Sequence, residues 1–239
     1  MRCLPDWLPQ VWEFALAAGL TILAITLHEA AHGYAALALG DDTARQMGRL
    51  SLNPLRHIDR FGTLILPGIL ILGQALTIHH VGFLFGWAKP VPVSAWKFPN
   101  PRRGMAWVAA AGPASNFFLA WLAAMALHLV GDMPVAVGET VQQALFYFIR
   151  VNMVLALFNL LPIPPLDGGR IAVGVLPAGL AARWAGLERA GLVIVLLLMF
   201  LVPRLAAEFG LAFDPITDGM MTVLPLALRL VFRLAFIDV

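Results

Sequence analysis

His28-Glu29-Ala30-Ala31-His32 lies inside an apolar run from Val11-Trp12-Glu13-Phe14 to Ala38-Leu39-Gly40. The run is long enough to cross a bilayer as one helix, which takes about 20 residues. On such a helix His28 and His32 stand one turn apart on one face and can grip a single metal ion. Glu29 is offset by one position, beside that ion rather than under it, where it can take a proton from an attacking water. Patterns of this length arise by chance on the surface helices of soluble proteins. Here two imidazoles and a carboxylate fall at membrane depth, where they cannot form a solvated face and need a function. The spacing from Trp12 to His28 is about 24 Å along a helix, so the motif is deep and nearer the helix's far side.

The rest of the composition agrees with a membrane setting. Of 239 residues, 60% are hydrophobic and 13% charged, with a mean hydropathy of +0.83, far from a soluble average. The reading is an all-α polytopic membrane protein in a single domain, 1–239. The net charge is +2, and the basic residues lie in loops and at helix ends. They report membrane orientation and exclude nucleic acid as the partner. The lone Cys3 excludes an internal disulfide framework and a cysteine-based zinc site. The first apolar run exceeds a signal peptide's core and lacks a basic flank, so cleavage is not expected.

Parity of the basic loops sets the topology. Arg45, Arg49, Arg56 and Arg60 place 41–60 in the cytoplasm, so the N-terminus lies outside. Lys89, Lys97, Arg102 and Arg103 place 89–103 there too. The intervening 61–86, broken by Pro67, Gly68, Gly73, Gly82 and Gly86, then enters and leaves on one side as a hairpin. Lys89-Pro90-Val91-Pro92-Val93 is an extended segment. Spans follow at 104–130, 140–161 and 190–206. Residues 220–237 cross back to put the C-terminus inside, or lie along the interface, since Arg229 and Arg233 sit one turn apart. The total is five to six transmembrane helices.

A catalytic zinc takes three protein ligands and keeps one position open. Asp167 is the best candidate for the third, in the irregular stretch Pro162-Ile163-Pro164-Pro165-Leu166-Asp167-Gly168-Gly169; the competing reading is a turn residue, since Asp-Gly is common in turns. For Asp167 to reach the depth of His28, this stretch must fold back into the membrane, or the first helix must project beyond it. None of His57, His79, His80 and His128 repeats the paired-histidine geometry of the first helix. Asn116 and Asn159 are polar groups in apolar helices, where helix–helix contact competes with substrate contact as their role.

Three segments together resemble the site-2 protease family of intramembrane zinc metalloproteases: His28-Glu29-Ala30-Ala31-His32, Gly112-Pro113-Ala114-Ser115-Asn116, and Asn159-x-x-Pro162 leading to Leu166-Asp167-Gly168. The resemblance covers about residues 12–175, the family's three-helix core, with 190–237 as accessory helices. It implies one Zn2+ ion held by His28, His32 and Asp167, with Glu29 as catalytic base. It also implies that Asn159 contacts substrate backbone, with Asn116 as a second, supporting position. Lys89–Val93 could supply an edge that holds an unwound substrate. The expected reaction is hydrolysis of peptide bonds in or near transmembrane segments. Expected partners are a transmembrane substrate and the lipid bilayer. The chain is similar to the compact prokaryotic form, without a PDZ-like domain, in the plasma membrane, its active site toward the cytoplasm. The rival function is a membrane zinc transporter or metal-binding membrane protein. A transporter needs a relay of polar ligands along a path, and 190–206 is almost uniformly apolar.

Overall fold

The structure, a computed structural model, describes residues 8–77, 86 and 88–238. Cys3, His79, His80 and the return leg of the 61–86 hairpin lie outside the described residues. Helix α1 (Leu8–Ala38) carries the histidine pair. Its 31 residues span about 46 Å, more than the roughly 30 Å of a hydrocarbon core. It stops at Gly40, whose φ of +101° is left-handed. Gly40 N–H bonds Leu37 O at 3.0 Å and Asp41 N–H bonds Ala36 O at 2.8 Å, the paired cap that glycine permits at a helix end. The cap swings Asp41 inward, where it is 1% exposed.

After a one-turn helix at Thr43–Gln46, Asp59 accepts from the N–H groups of Phe61 and Gly62 and starts a wide turn, Arg60–Ile65. This continues into α2 (Leu66–Thr77). Residues 60–77 are therefore helical through Pro67 and Gly68, with the proline just after the wide turn. Residues 88–93 form neither helix nor strand, in keeping with their prolines. Asn100 caps α3 (Pro101–Ala126) through Arg103 N–H. A 3-10 turn, Leu127–Asp132, leads to α4 (Val135–Asn159). Helix α5 (Asp167–Val175) is short, as are α6 (Ala178–Gly186), α7 (Gly191–Leu196) and α8 (Val202–Glu208). The last helix is α9 (Pro215–Leu234).

Five helical stretches are long and apolar enough to span a membrane: 11–38, 101–132, 135–159, 178–208 and 215–234. The chain is an integral membrane protein, all-α among the described residues. Helices α1, α3 and α4 pack on one another, and α5 packs along α3.

A Cβ on Gly174 would meet Ala106, and lie 3.4 Å from Arg102 O, so α5 runs back along α3 toward its start. Asp167, at the opposite end of α5, is thereby held deeper in the bundle. The chain between Pro162 and Gly169 does fold back. Gly168 lies against the carbonyls of Leu160 and Leu161, and Gly169 against Pro164, so tightly that a Cβ on either would overlap backbone. At the last helix, Trp121 donates to Leu234 O at 3.1 Å and His128 to Ala235 O at 2.7 Å. The end of α9 thus lies toward the end of the bundle that holds the 127–132 turn. Trp121 of α3 and His128 of the following turn hold the carbonyls of Leu234 and Ala235 at this end.

Candidate metal centre

One helical turn brings His28 and His32 together, and the fold-back brings Asp167 to them. His28 Nε2 and His32 Nε2 stand 3.1 Å apart. Asp167 Oδ2 is 3.1 Å from the first and 3.3 Å from the second. All three residues are buried.

The other ring nitrogens decide what these atoms present to one another. His28 Nδ1 lies 2.5 Å from Asn116 Oδ1, and His32 Nδ1 lies 2.7 Å from Val108 O. Asn116 Nδ2 donates to Asn152 Oδ1 at 2.8 Å, which fixes Asn116 Oδ1 as the atom facing His28. Both partners are oxygens that can only accept, so each Nδ1 carries the ring proton. A ring protonated only there turns a bare Nε2 lone pair toward the centre.

Two lone pairs and a carboxylate oxygen therefore converge, and Asp167 Oδ2 is buried without a hydrogen-bond donor. Three acceptors in one buried spot repel unless a cation lies among them. Ligands about 2.0–2.1 Å from a tetrahedral zinc stand about 3.3 Å from one another, close to the separations here. The donor set, its geometry and its outer hydrogen bonds all fit a zinc ion.

Glu29 is half-buried, its carboxylate within 4.8 Å of the histidine nitrogens. It accepts a hydrogen bond from Val91 N–H at 3.2 Å. The extended segment thus meets the site through Glu29. Helix α3 covers the imidazoles at Gly112, where a Cβ would overlap both rings. Asn116 is fully buried, with both ends of its amide engaged by His28 and Asn152. Asn159, half-buried at the end of α4, turns its amide nitrogen to Leu155 O at 3.0 Å. His57 donates from Nε2 to Ser51 O at 2.7 Å. His128 caps α9.

Sequence reasoning missed Asn152, which appears only as one more polar residue in an apolar helix. It also missed the roles of Gly112 and the Val108 carbonyl, which depend on the way α3 crosses α1. Among the described residues no second cluster of three or more metal-ligating side chains accompanies this one.

The profile of peptidase family M50 matches residues 129–202. A Bacillus subtilis protein named "Putative zinc metalloprotease YwhC" is 42% identical over 186 residues, 76% of this chain and 78% of its own. "Putative zinc metalloprotease Rip2" of Mycobacterium tuberculosis is 29% identical over 195 residues, 79% of this chain and 67% of its own. No solved structure gives a significant match. The chain belongs to peptidase family M50, the site-2 protease family. It is accordingly an intramembrane zinc metalloprotease.

Proposed function

We propose that His28, His32 and Asp167 hold one zinc ion, and that Glu29 acts as general base in the hydrolysis of peptide bonds within or beside transmembrane segments of other membrane proteins. The protein is an intramembrane zinc metalloprotease, and the convergence of two oriented Nε2 atoms with a buried carboxylate oxygen carries the residue assignment. Bound zinc supplies Lewis acidity and lowers the pKa of water. Glu29 takes the proton of the attacking water and passes it to the leaving amine. Asn116 and the Val108 carbonyl keep both ring protons on Nδ1, so that Nε2 stays a ligand. Asn116 is assigned to this orienting task rather than to substrate, since neither end of its amide is free. Asn159 is assigned to substrate backbone. A helical substrate hides its carbonyls, so it must unwind locally before the site can reach them.

Residues 1–239 form one domain in this reading, with the core at 12–175 and accessory helices at 190–237. The membrane is a prokaryotic plasma membrane and the N-terminus is outside. The site faces the cytoplasm, because eight basic residues between Arg45 and Arg103 gather where α1 ends and α3 begins. Cysteines placed at Asn53 and Asn100 should both be labelled from the cytoplasmic side; labelling of either from outside overturns this orientation.

Glu29→Gln tests the chemistry. The variant should keep its fold and one zinc per chain yet lose cleavage of a transmembrane substrate by about a thousandfold, in the middle of the range a catalytic base contributes. Full activity with zinc retained removes Glu29 as the base.

A further inference from the structure

Glu29 is tied to the extended segment through Val91 N–H, and the segment is tied in turn to the end of α1. Asp41, swung inward by the Gly40 cap, has a side chain with no exposed surface. Its Oδ2 accepts from Ser94 N–H at 2.6 Å. Its Oδ1 accepts from Thr43 N–H at 3.0 Å and from the Thr43 hydroxyl at 2.5 Å. Lys97 closes the cluster, with Nζ 3.3 Å from Asp41 Oδ1, 2.6 Å from Asp42 Oδ1 and 2.9 Å from Thr43 Oγ1. Burial works to raise the Asp41 carboxyl's pKa, yet bonds from Thr43, Ser94 and Lys97 hold it below the usual carboxylate value. Asp41 is therefore an anion at neutral pH.

Both fixed points of the segment lie on one helix. Asp41 holds Ser94 and Glu29 holds Val91, twelve positions apart along α1 and its cap. Prolines at 90 and 92 leave Val91 as the central N–H donor of the Pro90-Val91-Pro92 run. The Val91 side chain packs against Gly33, where an added Cβ would stand 3.1 Å from it, so the segment lies flush on the helix face that carries Glu29. The Lys89 end is tied separately, its N–H to His57 O at 2.8 Å and its carbonyl to Arg49 at 3.1 Å.

We propose that Asp41 is a positioning residue for catalysis: with Thr43 and Lys97 it clamps the Val91–Lys97 segment so that Val91 N–H fixes the orientation of the Glu29 carboxylate. This rests on Glu29 being the base. Asp41 touches neither substrate nor metal and acts only through the segment. Loss of the clamp leaves the histidines, Asp167 and their outer hydrogen bonds in place and frees the carboxylate to turn. Misplacing a reacting group by about 1 Å can cost about 100-fold in rate.

The test uses the full-length, zinc-loaded protein in detergent, with kcat and KM measured on a transmembrane substrate and amide hydrogen exchange followed across 88–98. Asp41→Ala should speed exchange across the segment, lower kcat about 10- to 100-fold, and leave KM and zinc content unchanged. Asp41→Asn, which retains an acceptor oxygen, should recover part of the loss. Val91→Pro, which removes the N–H facing Glu29 together with the isopropyl contact to Gly33, should lower kcat likewise and decides the matter if Asp41→Ala does not fold. Unchanged exchange in Asp41→Ala, a KM effect without a kcat effect, loss of zinc, or full kcat in Val91→Pro each overturns the proposal. Exchange and zinc content do not depend on which group moves the proton. An active Glu29→Gln would therefore defeat the base assignment separately from the clamp.

Discussion

Between Val108 and Asn116, α3 faces polar atoms: a backbone carbonyl on His32, an amide oxygen on His28, and Asn152 behind it. Two turns further on, Ala120, Ala123 and Ala124 of the same helix face only carbon, in a cluster with Ile149, Met153, Val231, Phe232 and Ala235. Small residues line both halves, for different reasons. At Gly112 the missing side chain makes room for two imidazoles. At Ala120 and Ala124 it lets α4 and α9 approach, as small residues do between helices in lipid. One helix thus carries a site whose polar groups are paired in chains and a contact made by apolar side chains. Damage to the first half should change metal and rate; damage to the second should change stability alone.

The sharpest separation comes from Asp167. Asp167→Ala removes one of three converging ligand atoms and should reduce zinc below one per chain and abolish cleavage. Asp59→Ala, which removes only the cap of the Arg60–Ile65 turn, should keep both. Metal analysis of the two purified variants decides it, and unchanged zinc in Asp167→Ala would place the third ligand elsewhere.

Asn116→Leu should come next. It leaves all three ligands in place but frees His28 to turn or to change tautomer. Loss of such an outer partner typically costs about 10- to 100-fold in metal affinity or activity. Asn152→Leu should act in the same direction and more weakly, because it removes only the support behind Asn116. A competition titration with a zinc chelator reads both. Equal affinity in Asn116→Leu and the parent chain would mean that the amide is mere helix packing and would erase the difference between the halves of α3.

How legible these features were in the sequence follows from how local each one is. The His28–His32 face is set by the helical period alone, and the five spans by apolar length. The fold-back was legible from Pro162, Pro164, Pro165, Gly168 and Gly169, since such a run cannot continue as helix. Asp167 could be named a candidate, but its contact with α1 could not be read from local sequence. Asn152 and Gly112 were illegible because their roles depend on which face of a neighbouring helix arrives. Asp41 looked like one charge of a solvated loop beside four arginines. Only the Gly40 cap turns it inward, and nothing in the spacing says that Ser94 and Lys97 wait there. The course of α9 was less legible for a related reason: loop charges left a crossing and an interfacial helix both open, and they do not reveal that Trp121 and His128 bond the carbonyls of Leu234 and Ala235.

Ala124→Leu gives the smallest effect and tests the apolar half by itself. Ala124 has no exposed surface and belongs to the cluster that includes Ile149, Met153 and Phe232. Three added carbons have no void to enter, so α4 or α9 must shift or a neighbour must leave its preferred rotamer. Overpacking of this kind costs about 1–3 kcal/mol. The strain arises two turns from Asn116, and no polar atom of the cluster leads back to the histidines. Thermal unfolding in detergent should therefore begin a few degrees lower, while zinc stoichiometry and kcat/KM stay at the parent values. A fall in zinc affinity as large as that of Asn116→Leu would show the two halves of α3 to be mechanically coupled. The accessory helix α9 would then take part in holding the metal site in shape, through Phe232 and the alanines it rests on.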